Sequence, residues 1–215
     1  MSQAFVICGV GHSGTRLLFK FIRNHPLVAT PNNRNLWAFG EYLPAYYEIK
    51  KELYRRNNNP EIESDWNPIF ENLDEYTSLC GYHKEKILIK IPTYPLFTPE
   101  IFVKYFGENT VFLYTMRCAE KILKSYEARG EVDYITDKFK LCRLSVKEPL
   151  DMQDILNQYD DRINTIKCHY NILKVDMLKM CADKFYFLDI FNNLNLLVNE
   201  DFVDKQLALV DKDRI

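Results

Sequence analysis

The sequence predicts a single α/β domain, a central parallel sheet wound on both faces by helices, and three observations predict it. Short apolar, β-branched runs alternate with segments of helical periodicity along most of the chain. The first run, residues 4–10 (AFVICGV), passes through a glycine-rich turn straight into a helix-patterned segment. With 215 residues, 47% of them apolar and 27% charged, the chain has the length and composition for one core.

The elements follow in order. Residues 4–10 form an uninterrupted apolar run, the pattern of a strand buried on both faces. Residues 15–24 place Leu17, Leu18, Phe21 and Ile22 at helical spacing, and Pro26 ends that helix. Residues 27–35 are rich in turn formers and read as a loop. Residues 36–56 are helical in part, with Pro44 in a first turn and a basic end at Lys50, Lys51, Arg55 and Arg56. Trp66, Ile69, Phe70, Leu73 and Tyr76 mark a further helix before Gly81. A second strand is expected over 86–91, closed by Pro92, and a short helix over 98–106 with Thr98 as N-cap and Pro99 behind it. Another buried strand is expected over 110–116 and a helix over 119–128. The charged stretch 129–148 reads as a surface excursion, and 150–170 as the most amphipathic helix of the chain. A fourth strand over 171–175 and helical segments to about 197 complete the prediction.

Composition excludes several classes. A net charge of −2 argues against a nucleic-acid binder, so any anion must be held by a few local cations and backbone N–H groups. The N-terminus lacks a basic segment followed by a long apolar one, which predicts no secretory leader. No apolar run is long enough to span a membrane. The six cysteines are scattered without metal-ligand spacing and are expected as free thiols of a cytoplasmic protein.

The chemistry is concentrated in the first turn. A glycine loop between a buried strand and a helix gathers backbone N–H groups, and the helix start adds partial positive charge. Gly9, Gly11 and Gly14 permit the tight backbone of such a cradle, and Ser13 and Thr15 can add hydroxyl donors. The loop departs from G-x-x-x-x-G-K-[ST]. Gly9 and Gly14 are correctly spaced, but Thr15-Arg16 stands where Lys-Ser/Thr holds a metal-bridged triphosphate.

GVGHSGTRLL followed by NHPLV resembles the opening of P-loop-type sulfotransferases that use 3′-phosphoadenosine-5′-phosphosulfate (PAPS). Ile89-Lys90-Ile91-Pro92 is similar to that family's Lys-x-Pro segment. Residues 110–126 (TVFLYTMRCAEKILKSY) are similar to its second signature, a buried strand with an Arg at its end and a Ser eight residues later. The resemblance covers about residues 4–126, leaving a helical C-terminal part over about 150–215 within one domain of 1–215. It implies the P-loop sulfotransferase fold and transfer of a sulfonyl group from PAPS to a hydroxyl or amine of a small-molecule or carbohydrate acceptor. The product nucleotide is 3′,5′-bisphosphoadenosine (PAP), and no metal is required. It further implies that Gly11, His12, Ser13, Gly14, Thr15 and Arg16 cradle the phosphosulfate while Arg117 and Ser125 hold the 3′-phosphate. An Arg at the carboxyl end of a parallel strand is independently well placed, because open α/β sheets bind ligands there and a guanidinium forks onto phosphate.

His12 stands where the family usually has Arg or Lys, and Arg16 where it has a small residue. Lys90, a charge ending the apolar run ILIKIP, is the candidate cation for the departing phosphate. Glu41, between Phe39 and Tyr42, is the candidate base, with His12 the alternative base or acid. His25 is expected to cap the first helix, and His83 and His169 to be ordinary histidines. Two other classes are open to a strand–glycine loop–helix opening: a small-molecule kinase and a non-catalytic nucleotide-binding protein. The acceptor is expected to be chosen by residues 27–81 and 127–150.

Overall fold

The computed structural model describes residues 3–31, 37–38, 41–81, 85–208 and 210, with backbone only at 37, 38, 41 and 42. The elements are β1 (Gln3–Cys8), α1 (Thr15–Arg23), β2 (Val28–Ala29), β3 (Trp37–Ala38), β4 (Glu41–Tyr42), α2 (Leu43–Asn58) and α3 (Asn67–Cys80). There follow β5 (Lys86–Lys90), a 3-10 turn at Tyr94–Leu96, α4 (Pro99–Phe106), β6 (Val111–Met116), α5 (Ala119–Glu127) and α6 (Val132–Leu141). The chain continues through α7 (Met152–Ile166), β7 (Asn171–Asp176), α8 (Met177–Ala182), α9 (Lys184–Asn193) and α10 (Glu200–Leu207).

Five strands form one sheet in the order β2-β5-β1-β6-β7, parallel throughout. The predicted α/β class and its parallel sheet are therefore observed. β1 lies at the centre, with Ile7 opposite Lys90 on one side and Cys8 opposite Tyr114 on the other. Its apolar run is explained by burial on both faces. Ala4, Val6 and Cys8 join Ile89 and Phe112 under α2 to α7, whereas Phe5 and Ile7 join Leu88 and Leu113 under α1 and α8 to α10.

Most predicted elements appear within a residue or two, and the departures have local causes. β1 stops at Cys8 because Gly9 turns to φ 136°. The loop expected over 27–35 contains β2, a two-residue edge strand. β3 and β4 pair as an antiparallel ribbon where a helical start was expected. The excursion expected over 129–148 contains α6, whose Ile135 and Phe139 are fully buried. Helical structure also runs past 197 into α10.

His25 does not cap α1, whose C-cap is Asn24. It is buried instead, accepting from the Leu27 N–H at 3.2 Å while its Nε2 donates to the Leu197 carbonyl at 3.1 Å. Thr98 occupies the N-cap position of α4, but its hydroxyl donates back to the Tyr94 carbonyl at 3.3 Å. His169 is exposed, and His83 lies outside the described residues. All six cysteines are free. Among the described residues no helix is long and apolar enough to cross a membrane.

Candidate functional site

The strand order creates the site. After β1 the chain leaves through α1 toward β2, and after β6 it leaves through α5 toward β7, on the opposite side of the sheet. Connections that diverge from adjacent parallel strands open a crevice at their carboxyl ends. The glycine loop after β1 and Arg117 after β6 both stand at that crevice, and an Arg117 Nη donates to the His12 carbonyl at 3.1 Å.

Gly9 takes φ 136° and Gly14 takes φ 100°, a range that side chains rarely adopt. Space forbids side chains there as well. A Cβ at Gly9 would lie 2.7 Å from Thr115 Oγ1, one at Gly14 would lie 2.5 Å from Met177 Cγ, and one at Gly11 would overlap the Tyr126 hydroxyl. Gly14 is the N-cap of α1 and offers no side-chain cap, and the first turn carries no acidic residue. The start of α1 is thus capped by no side chain and opposed by no acid, an arrangement that favours an anion at a helix N-terminus.

Ser13 and Thr15 are buried and Arg16 is exposed. The Ser13 hydroxyl does not face the crevice alone: it lies 2.6 Å from Thr115 Oγ1, which donates in turn to the Cys8 carbonyl at 3.3 Å. Its first task is to tie the loop to β6.

His12, at φ 64°, is held by both ring nitrogens. Nδ1 lies 2.6 Å from Ser125 Oγ and Nε2 lies 3.2 Å from Glu131 Oε2, with the ring 4.2 Å from that of Tyr126. A carboxylate only accepts, so this network assigns the proton to Nε2, leaving Nδ1 to accept from Ser125. Burial pushes the His12 pKa down; the Glu131 hydrogen bond opposes this, while the charges of Arg129 and Arg117 assist it, and the net direction is downward. A neutral imidazole is the expected form at pH 7.

Lys90 ends β5 and is only 1% exposed. It alternates with Ile89 and shares its face with Leu88, which turns it toward the α1 side of the sheet. Immediately beyond, Thr93 has φ 75° and ψ −62°, its N–H donates to the Gly9 carbonyl at 2.8 Å, and the Tyr94 N–H donates to the Pro92 carbonyl at 2.9 Å. This is a γ-turn of the strained hand, which persists only where its surroundings hold it. Thr93 is fully buried and its hydroxyl has no partner among the described residues.

The structure thus brings together the glycine loop, Arg117 and Ser125, with Lys90 at the end of the neighbouring strand. Glu41 begins β4, but its side chain lies outside the described residues. Sequence reasoning missed Glu131, Tyr126, Thr115 and Thr93. Thr93 carries a local signal, a β-branched residue directly after Pro92, but Glu131 meets His12 across more than a hundred residues and carries none.

No family model matches the chain, and no curated protein matches it in sequence. Solved structures do match in fold. The sulfotransferase STF1 from Mycobacterium tuberculosis is 13% identical, with a TM-score of 0.54 over 97% of this chain and 71% of its own. A sulfotransferase domain from the curacin biosynthetic pathway is 12% identical, with a TM-score of 0.57 over 94% of this chain and 77% of its own. The sulfotransferase STF9 from Mycobacterium avium is 10% identical, with a TM-score of 0.55 over 96% of this chain and 67% of its own. The fold of this chain is therefore the one these sulfotransferases share.

Proposed function

We propose that the protein transfers a sulfonyl group from PAPS to a hydroxyl or amine of a small-molecule or carbohydrate acceptor in the cytoplasm, without a metal. The observation that carries the reading is the meeting of the uncapped glycine loop with Arg117 and Ser125 at one crevice. A donor with phosphate at both its 5′ and 3′ positions needs two anion sites held at fixed separation, and a loop and an arginine on adjacent strands supply them.

Residues 9–15 receive the phosphosulfate on backbone N–H groups, with Thr15 and Arg16 at the helix start. Arg117 and Ser125 receive the 3′-phosphate. Lys90 supplies the cation for charge gathering on the bridging oxygen; a lysine so fully buried at a strand end fits a reaction better than mere binding. His12 is a poor substitute for the Arg or Lys of the resemblance, since burial favours its neutral form and both nitrogens are engaged. It serves instead to set Ser125. Glu41 is the base that the sequence suggests. The kinase reading is disfavoured by Thr15-Arg16, which provides no lysine at the position that reaches a triphosphate.

Calorimetric titration with PAP tests the reading. Micromolar binding is expected, weakened at least tenfold by Arg117→Ala, with little affinity for AMP. Tight Mg²⁺-dependent binding of ATP with indifference to a 3′-phosphate would move the protein to the kinase class.

A further inference from the structure

Three phenols and a buried lysine meet beside the crevice. Tyr94, next to Thr93 in the strained turn, is fully buried, and its hydroxyl lies 3.4 Å from that of Tyr46 on α2. The Tyr46 hydroxyl lies in turn 3.3 Å from that of Tyr134 on α6. Lys138, one turn further along α6 and largely buried, sets its ammonium 4.1 Å from the centre of the Tyr134 ring and 5.1 Å from that of Tyr46. Tyr46 and Tyr94 are sealed from solvent, whereas Tyr134 is 50% exposed.

Two connections tie this cluster to the donor loop. Glu131, the N-cap of α6, holds His12, and the spacing of Glu131, Tyr134 and Lys138 puts all three on one face of the helix. Tyr94 lies four residues beyond Lys90 on the chain leaving β5. The cluster is therefore tied to the loop through Glu131 and to the end of β5 through the backbone that follows Lys90, and the acceptor is assigned to the space beside Tyr134.

We propose that Tyr134 is the base that takes the acceptor's proton, with Tyr46 and Lys138 as its positioning partners. The assignment rests on the sulfonyl-transfer reading. The acceptor oxygen forms its bond to sulfur as the bond from sulfur to the bridging oxygen breaks. That electron pair leaves with the phosphate, and the acceptor's proton passes to the Tyr134 phenolate.

Lys138 is the physical reason for a more acidic phenol there. Among the described residues it has no carboxylate within ion-pair distance, and a cation so far buried wants a counter-charge. The groups facing Tyr134 are Tyr46 and Lys50 from α2 and Lys138 from its own helix, with Tyr94 behind Tyr46. Burial pushes the Tyr134 phenol up, but the Tyr46 hydroxyl and the nearby positive charges of Lys138 and Lys50 outweigh it, and the net direction is downward. Burial drives Tyr46 and Tyr94 upward, so of the three Tyr134 ionises first.

The test begins without any acceptor. Spectroscopic titration of the tyrosinate band should show one phenol of the 14 ionising ahead of the rest. Tyr134→Phe should remove that step, Lys138→Gln should move it to higher pH and Lys138→Arg should restore it. Turnover of PAPS is then followed with water and with phenol as acceptors. Tyr134→Phe should lower it about 10²-fold while the affinity for PAP stays unchanged. Lys138→Gln should shift the ascending limb of the rate profile to higher pH. Wild-type rates or an unaltered phenol titration in Tyr134→Phe would overturn the assignment, as would loss of the ascending limb in Glu41→Gln alone. Failure of the wild-type protein to bind PAP would instead overturn the transfer reading, and calorimetry reads that separately.

Discussion

At the scale of single residues, His12 is placed to couple anion binding to a proton. In the free protein Ser125 donates to Nδ1, and Nε2 donates to Glu131. A phosphate that takes the Ser125 hydrogen leaves Nδ1 facing a bare hydroxyl oxygen, and the ring recovers that bond only by becoming a donor at both nitrogens. The His12 pKa, pushed down by burial in the free protein, therefore rises on binding. The sign follows: PAP binding should take up a proton, and this contribution to affinity should grow as pH falls through the bound-state pKa and level off below the free-state one. Calorimetry in two buffers of different ionisation enthalpy should show uptake that disappears in His12→Gln; proton release would mean that Ser125 does not meet the phosphate. That Arg117 and Ser125 would meet the glycine loop was legible, because both fall in one short motif that begins on a readable strand. Glu131 was not, because a partner that arrives through the fold leaves no local pattern.

At the scale of elements, what could be read depended on length and contrast. β1, β5 and β6 are runs of five or six residues buried on both faces, and α7 carries its stripe over four turns. β2, β3 and β4 have two residues each, too few for any period to show. α6 was hidden for another reason. Its core residues, Ile135 and Phe139, are separated by Asp137 and Lys138 and flanked by charge, so its short apolar stripe is diluted. Burial nevertheless makes it structural. Phe139→Ala should destabilise the fold by about 3–5 kcal/mol in urea unfolding. It should also weaken PAP binding, because the same helix presents Glu131 to the loop. A Phe139 variant that loses the stability but keeps full affinity would show that α6 does not position His12.

At the scale of the whole molecule, alternation of strands and helices announced the α/β class, but strand order is a matter of long connections and was not readable. That order makes the crevice. The loop after β1 and the arginine after β6 are adjacent only because β1 and β6 are neighbours in the sheet, with Met177 after β7 closing on Gly14 from beyond. A ligand spanning loop and arginine therefore braces two connections that depart in opposite directions. Because only the folded state offers both, PAP at a hundredfold excess over its Kd should add about 2.7 kcal/mol of stability. Thermal unfolding should register the gain with PAP, much less with AMP, and at equal concentration about half of it or less in Arg117→Ala.

The central position of β1 also bears on how the chain is made. Its residues are synthesised well before their hydrogen-bonding partners, which begin only at Lys86 and Val111. Until β6 has been synthesised, the wholly apolar stretch Ala4–Cys8 has only half its pairing, and pairings of such sequence separation form slowly. A nascent or truncated chain that stops short of Val111 carries this strand as an adhesive edge, a natural client for chaperones. The crevice is thus completed only once β6 and Arg117 are in place, although it opens at Gly9.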